Sequence, residues 1–367
     1  MEIIHIVLGK ANPERMNGVN KVVYQLATEQ ALGGRNVAVW GITADTQVNY
    51  KERPFKTVLF KARKNPFTIS ADLKKAIENA STSATFHLHG SWIPTFYAIA
   101  KHIHQCGNKY VTTPHGGYNT IAMQKNKWVK KFYFALLEET LLKNATTIHC
   151  IGESEKEGLN QIYKNNKQVR IPYGFMPSTL RNVEKPVNEK FIIGFVGRID
   201  IYTKGLDLLA SAFEKMENRA NSELWIIGDS AELHKLEQLI TDKKISDNVV
   251  FWGSKYGDEK DTLMKQMDVF VHASRNEGLP TAVLEACNFG VPCVVSKATN
   301  VGDEIEDFSA GICVPNEDAN ALAESLNKMY DNWANNEIAP MQQNAKNMVK
   351  NAFSWHTVLP FFDALYA

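Results

Sequence analysis

The sequence predicts an α/β protein built from two doubly wound, parallel-sheet domains facing a cleft. Three observations predict this. Apolar runs such as Ile3–Leu8 and Phe191–Val196 lack the alternation of a half-wetted strand and read as strands covered on both faces. Such runs alternate with helically spaced segments along the chain, the pattern of strand–helix–strand units. The series also stops and restarts once: Pro172 to Pro186 holds Pro172, Gly174, Pro177 and Pro186 with little periodicity, and Phe191 opens a second series. At 367 residues, 44% hydrophobic and 22% charged, the chain can fill two cores. The expected division is a first domain over 1–173, a linker over 174–190, a second domain over 191–345 and terminal helices over 346–367.

In the first half, Ile3 to Leu8 is a strand, Gly9 to Gly18 a loop, and Val19, Val22, Val23, Leu26 and Ala27 share one face of a helix. Gly18 then stands at a helix start, as in loops that approach phosphate, although neither G-x-G-x-x-G nor a P-loop lysine accompanies it. Val37–Ile42 and Thr57–Phe60 are strands, and Ile69–Ala80 and Pro94–Cys106 helices. The strands Thr85–His89 and Lys109–Thr113 each lead into a His-Gly pair, His89-Gly90 and His115-Gly116. Either histidine alone reads as a core or loop residue. Two at equivalent strand ends point to a site, because ligands of open α/β sheets gather at that edge. Asn119–Asn144 is helical, Thr146–Cys150 a strand, Glu153–Ile162 a helix and Val169–Ile171 a strand. Lys125 to Tyr133 interleaves lysines with Trp128, Phe132 and Tyr133, which fits either a solvated basic face or contact with an anionic bilayer.

In the second half, strands are expected at Phe191–Val196, Glu223–Ile227, Val249–Trp252, Asp268–His272, Val291–Ser296 and Ile312–Val314. Helices follow at Leu206–Met216 and Asn320–Asp331, with one or two more over Pro340–Ala367 carrying Trp355, Phe361, Phe362 and Tyr366. The stretch Ser274 to Ala286 organises this half. The chain leaves a buried strand, turns through Glu277 and Gly278, and enters a helix at Pro280, whose fixed φ suits a first helical position. The free amides of that helix start suit an anion, phosphate above all. Glu277 lies in the turn, and Glu285 about a turn and a half into the helix. A solvated loop with two surface acids is the plainer reading. Arg198 follows the strand Phe191–Val196 and Lys204 precedes the next helix, so two cations share the same crevice and complete a diphosphate site. No D-x-D motif occurs, so no dedicated Mg²⁺ cage or other metal site is inferred, and the cations neutralise the diphosphate themselves.

The net charge of +1 hides an asymmetry: residues 1–180 hold 23 Lys/Arg against 12 Asp/Glu, and residues 181–367 hold 18 against 28. A basic first half suits an anionic partner or attraction between the halves. Nothing resembles an RNA-binding or zinc signature, and no nucleic-acid partner is expected. The five cysteines form no C-x-x-C pair and read as buried thiols in a reducing compartment. With neither a signal peptide nor a long apolar segment, the expected location is the cytoplasm, including the inner membrane face.

The set Gly197-Arg198-…-Lys204-Gly205, Glu277-Gly278-x-Pro280-…-Glu285-Ala286 and Gly290-x-Pro292-x-Val294 resembles the retaining glycosyltransferases of family 4, which have the GT-B fold of two Rossmann-like domains. The first half joins the resemblance more loosely, through Gly18, His89 and His115. The resemblance implies a nucleotide-sugar site in the second domain and an acceptor site in the first. It implies that Arg198 and Lys204 grip the diphosphate, that Glu277 contacts sugar hydroxyls, and that the backbone of Gly278, Leu279, Pro280 and Thr281 meets sugar or diphosphate. Glu285 would bond the ribose, the Gly18 loop would approach the diphosphate, and His115 would lie beside the transferred sugar. His89 and Tyr118 would face the acceptor, Lys255 and Tyr256 would lie in the base-binding loop, and the last helix would cross back onto the first domain. One departure is that Asn17-Gly18 stands where many members have two glycines.

The expected activity is therefore transfer of a hexose with retention and without a metal or other cofactor. The donor is a UDP-sugar first and a GDP-sugar second, and the acceptor a glycan or lipid-linked glycan of a surface polysaccharide such as O-antigen or capsule. Catalytic roles fall to Glu277, His115, Arg198 and Lys204. The leaving phosphate helps take the acceptor proton, and the protein's work is orientation and electrostatic stabilisation. A nucleotide-sugar 2-epimerase of the same fold and a non-catalytic nucleotide-sugar or glycan-binding module are the alternatives.

Overall fold

The computed structural model describes residues 2–12, 18–48, 50–124, 126–177 and 188–367. The chain forms two compact units, Met1–Gly174 with Trp355–Ala367, and Phe175–Ser354.

The first unit is a seven-stranded parallel sheet. Its strands are β1 (Glu2–Leu8), β2 (Asn36–Thr43), β3 (Lys56–Lys61), β4 (Thr85–His89), β5 (Lys109–Thr113), β6 (Thr147–Cys150) and β7 (Gln168–Arg170), in the order β3-β2-β1-β4-β5-β6-β7. β1 is buried from Ile3 to Val7 and β4 along its whole length, as unbroken apolar strands require. Their register sets His5 beside His87. The helix Ala71–Glu78 starts where the Ser70 hydroxyl accepts from Leu73 N at 3.3 Å, and it turns Leu73 and Ile77 into the core.

The second unit is a six-stranded parallel sheet of β8 (Phe191–Val196), β9 (Ser222–Ile227), β10 (Val249–Gly253), β11 (Val269–His272), β12 (Cys293–Ser296) and β13 (Gly311–Val314), in the order β10-β9-β8-β11-β12-β13. Apolar clusters lie on its two faces, one including Phe191, Leu206 and Phe213 and the other Phe270, Leu284 and Phe353. In each sheet the winding reverses beside a central strand, between β1 and β4 and between β8 and β11. Loops leaving those strand ends diverge and open a crevice.

Three expectations need correction. The helical stretch over 119–144 is broken into Thr120–Gln124 and a second run from Lys127 to Asn144, the latter carrying a π turn at Phe134–Glu138. The wider turn brings Glu138 into the core, where its carboxylate accepts from the Tyr118 hydroxyl at 2.6 Å and Trp92 N at 2.9 Å. The terminal helices do not act together: Ala339–Ala352 belongs to the second unit, and only Trp355–Tyr366 joins the first, so the segment that crosses is shorter than 346–367. The second unit starts at Phe175, inside the stretch read as a linker, and residues 178–187 of that stretch lie outside the described residues.

Candidate functional site

In the second unit the predicted residues converge on the C-terminal ends of β8 and β11. The loop after β8 folds back so that Arg275 N donates to Thr203 O at 2.9 Å and the Ser274 hydroxyl to the same carbonyl at 2.7 Å. Gly205 makes this approach possible. Its φ is +65°, and a Cβ there would stand 2.0 Å from the carbonyl oxygen of Ala273. Lys204 thereby faces Glu277, and its ammonium donates to Oε1. Nε2 of His272, at the end of β11, lies 2.8 Å from the same oxygen, and the Ser274 hydroxyl 3.2 Å from it. Burial pushes the Glu277 carboxyl up, but the bond and charge of His272 and then Lys204 outweigh it and hold the group down at about 2. Glu277 is thus an ionised acceptor at neutral pH.

Asn300 ties down the turn, its side-chain amide donating to Glu277 O at 2.6 Å and Gly278 O at 3.1 Å. Pro280 stands just ahead of the helix Thr281–Asn288, one position earlier than its proline signature implies, and no side chain caps that start. Gly278, Leu279 and Thr281 line the turn and the helix entry. Glu285 lies in the second turn, where Lys260 donates to Oε2 at 2.5 Å. Arg198 differs from the expectation of a paired clamp: its side chain is 72% exposed and meets Asp200 at 3.0 Å. Lys255 pairs with Glu259 at 3.4 Å, and Tyr256 is exposed.

In the first unit, Gly18 opens the helix Gly18–Leu32, and Asn17 lies outside the described residues. His115 follows β5 with a left-handed φ of +55°, and its ring stacks on Tyr173 at 5.7 Å. Buried Glu155 fixes that loop by accepting Gly116 N at 2.5 Å and Ile151 N at 3.1 Å. Burial raises its carboxyl to about 7 against the pull of these amides. His89 and Tyr118, expected on the acceptor side, are both buried. His89 is 2% exposed, with its ring nitrogens 2.9 Å from His5 and 3.1 Å from His115, while Tyr118 is 1% exposed and packs in the core. His89 is the last residue of β4 and Tyr118 lies in the loop after β5.

Ring nitrogens of His5, His87 and His89 lie within 4.8 Å of one another, close enough in principle for a metal. All six nitrogens of these rings are already hydrogen-bonded, to Gln30, Tyr366, Thr113, His115 and each other. The set therefore reads as a polar network.

Residues 178–354 match the family described as glycosyl transferases group 1, and residues 16–177 match glycosyltransferase family 4. The chain belongs to the group 1, family 4-like glycosyltransferases. It is 24% identical over 272 residues to the capsular polysaccharide biosynthesis glycosyltransferase CapM of Staphylococcus aureus, covering 67% of this chain and 68% of CapM. It is 32% identical over 178 residues to the uncharacterized glycosyltransferase MJ1607 of Methanocaldococcus jannaschii, covering 48% and 45%. The lipopolysaccharide outer core galactosyltransferase WaaB has the same GT-B fold, with a TM-score of 0.77 at 15% identity over 100% of this chain and 99% of WaaB.

Sequence reasoning missed several residues that hold this glycosyltransferase's site together. Buried Arg275 makes a two-pronged bond to Asp207 at 2.7 and 2.8 Å, meets Glu317 at 2.6 Å and Tyr202 O at 2.6 Å, and so pins both loops. It stands inside the organising stretch, but its partners are 42 and 68 residues away. His272 ends an apolar run and carries no local mark. Lys260 sits in the charged helix Gly257–Gln266, where one useful lysine looks like its neighbours.

Proposed function

We propose that the chain transfers a hexose, with retention, from a nucleoside-diphosphate sugar to a glycan or lipid-linked glycan in surface-polysaccharide assembly, such as O-antigen or capsule. The donor is a UDP-sugar first and a GDP-sugar second. The observation that carries the reading is the Lys204–Glu277–His272 cluster beside the uncapped start of Thr281–Asn288. An ammonium has three donors, and Lys204 gives one to Glu277, leaving two for a diphosphate. The helix amides add donors, and exposed Arg198 can swing to the outer phosphate. Glu277 receives sugar hydroxyls and Glu285 the ribose. With phosphate charge met by these groups, the transfer needs no metal. Leaving-group stabilisation and orientation carry the rate, and the departing phosphate takes the acceptor proton. The name of CapM, a capsular polysaccharide enzyme, supports the pathway.

The acceptor reading draws on the helix from Lys127. Trp128, Val129 and Phe132 are 78%, 70% and 70% exposed beside Lys127, Lys130 and Lys131. A cavity of about 610 Å³ adjoins them, lined by Met123, Phe134 and Ile162 as well as these lysines. Apolar side chains flanked by cations suit the anionic inner face of the cytoplasmic membrane, which would bring a lipid-linked acceptor to the enzyme. Lys125, the first residue of the expected patch, lies outside the described residues.

The test is thermal unfolding with UDP, GDP, ADP or CMP, each with and without EDTA. A nucleotide at ~100 times Kd stabilises by about 2.7 kcal/mol. Selective stabilisation by one nucleoside diphosphate, unchanged by EDTA, supports the reading, and no response to any nucleotide overturns it.

A further inference from the structure

A single line of side-chain hydrogen bonds crosses the first unit from a backbone carbonyl to the ring of His115. One arm starts at Ile171 O, 2.7 Å from His149 Nε2. It continues from His149 Nδ1 to the Thr113 hydroxyl at 2.7 Å and on to His87 Nε2 at 2.6 Å. His87 Nδ1 then meets the Tyr366 hydroxyl at 2.9 Å, and that oxygen receives Gln30 Nε2 at 3.3 Å. The other arm leaves Gln30 Oε1 for His5 Nε2 at 2.7 Å, passes from His5 Nδ1 to His89 Nε2 at 2.9 Å, and ends from His89 Nδ1 to His115 Nε2 at 3.1 Å.

Every link has one permitted direction. Burial lowers all five imidazoles, with His5 and His149 at about 4 and His115 at about 3, so each ring is neutral at neutral pH and has one N–H and one bare nitrogen. A carbonyl only accepts, so His149 Nε2 carries its proton and Nδ1 accepts from Thr113. That hydroxyl has no second proton and must accept from His87 Nε2. The bare His87 Nδ1 accepts from Tyr366, whose oxygen accepts the Gln30 amide. The Gln30 carbonyl accepts from His5, His5 from His89, and His89 from His115. His115 is left with a bare Nδ1, which bonds to nothing among the described residues.

We propose that this line fixes His115 as the Nε2–H tautomer, so that its bare Nδ1 offers a hydrogen-bond acceptor to a hydroxyl-bearing ligand. On this reading Tyr366 is a positioning residue that links the last helix to the site. A sugar hydroxyl satisfies that acceptor, whereas a carboxylate or phosphate oxygen would meet a lone pair. Only the identity of the ligand rests on the glycosyltransferase reading; the tautomer does not.

The test is two-bond ¹H–¹⁵N correlation on the full-length protein labelled at histidine, which tells a protonated ring nitrogen from a bare one. Wild type should show all five rings as Nε2–H, with no second His115 form. Tyr366→Phe and Thr113→Val cut the line at two separate links, and each should bring a second tautomer at His115. With a nucleotide-sugar donor, kcat should fall about tenfold in each variant, the worth of one hydrogen bond, while donor KM changes little. A merely structural role for Tyr366 would lower thermal stability yet leave His115 in one form. Mixed tautomers in wild type, or a single unchanged form in both variants, overturn the proposal. Failure of the transferase reading looks different: the tautomers hold as stated, but no nucleotide binds.

Discussion

Lys204 and Glu277 form an ion pair that joins the loop after β8 to the turn after β11, across 73 residues of sequence. Their side chains are 20% and 13% exposed, so neither charge has full access to water. Removing one partner leaves the other under-solvated, an effect of about 3–5 kcal/mol in fully buried pairs and less at this exposure. Lys204→Met and Glu277→Gln should each lower kcat by at least about 100-fold, as loss of a transition-state donor or its orienting partner does. Both should fold and melt cooperatively a few degrees early. Near wild-type kcat in either variant would remove that residue from the catalytic assignment.

Arg275 should behave as a loop anchor. Its fork to Asp207, together with Glu317 and Tyr202 O, fixes where Lys204 and Glu277 sit. Arg275→Lys keeps the charge but cannot reproduce the planar fork. It should raise the donor KM and lower unfolding free energy by roughly 2 kcal/mol, with Arg275→Ala worse on both counts. Denaturant melts alongside donor titrations check this. An unchanged KM in Arg275→Ala would show that the loops hold without it.

The sequence made the fold legible because its strands are unbroken apolar runs and its turns carry Gly and Pro. Ile3–Leu8 and Phe191–Val196 correspond closely to β1 and β8. The helix Gly257–Gln266 left little trace, since GDEKDTLMKQ is mostly polar and Met264 is the one apolar residue it buries fully in the core. Arg198, Lys204 and Glu277 could be singled out because each lies beside a glycine, and Glu285 because it lies in the helix that the Gly278–Pro280 turn opens. Arg275, Lys260 and the histidine line were not, because their bonds span tens to hundreds of residues; His272 bonds Glu277 only five residues on, but it ends an apolar run that reads as plain strand. The burial of His89 and Tyr118 was not legible for a related reason: position near a strand end says which edge a residue reaches, and tertiary packing decides whether it is covered.

The first unit should lose stability on mild acidification. His5 and His149 fall to about 4 and His115 to about 3 in the fold, with His87 and His89 lowered too, against an unfolded value of 6.5. A lowered folded value means that the unfolded chain binds the proton first. The stabilisation is therefore complete above pH 6.5 and disappears as pH falls through about 4. Glu155 acts in the opposite sense: raised from 4.5 to about 7, it favours the fold at low pH and loses that contribution as pH rises through about 7. Burial also raises Glu29 and Glu138, but the five histidines outnumber these three carboxyls, so unfolding should take up protons at pH 5 from these groups. Denaturant midpoints measured from pH 7.5 to 4.5 should drop steeply below 6.5, and His149→Gln should flatten the slope. A midpoint that holds steady to pH 5 would contradict the neutral, buried state of these rings.

The exposed helix should decide membrane binding. Trp128 and Phe132 stand four residues apart on one helical face, and Val129 lies beside them. Each lysine near an anionic surface contributes about 1 kcal/mol, and Lys127, Lys130 and Lys131 flank the apolar residues. The full chain should sediment with vesicles of anionic phospholipid at low salt and be released as salt rises. Trp128→Ser with Phe132→Ser should weaken sedimentation, as should replacing the three lysines by glutamine, but the remaining salt dependence should differ. The serine variant keeps the lysines and so keeps its sensitivity to salt. The glutamine variant keeps the apolar anchor and should bind neutral and anionic vesicles alike. Transfer to a short soluble acceptor should be unaffected by either set, since the proposed chemistry uses none of these residues. If wild type ignores the vesicles, the solvated-face reading of Lys125–Tyr133 stands and the acceptor need not be membrane-bound.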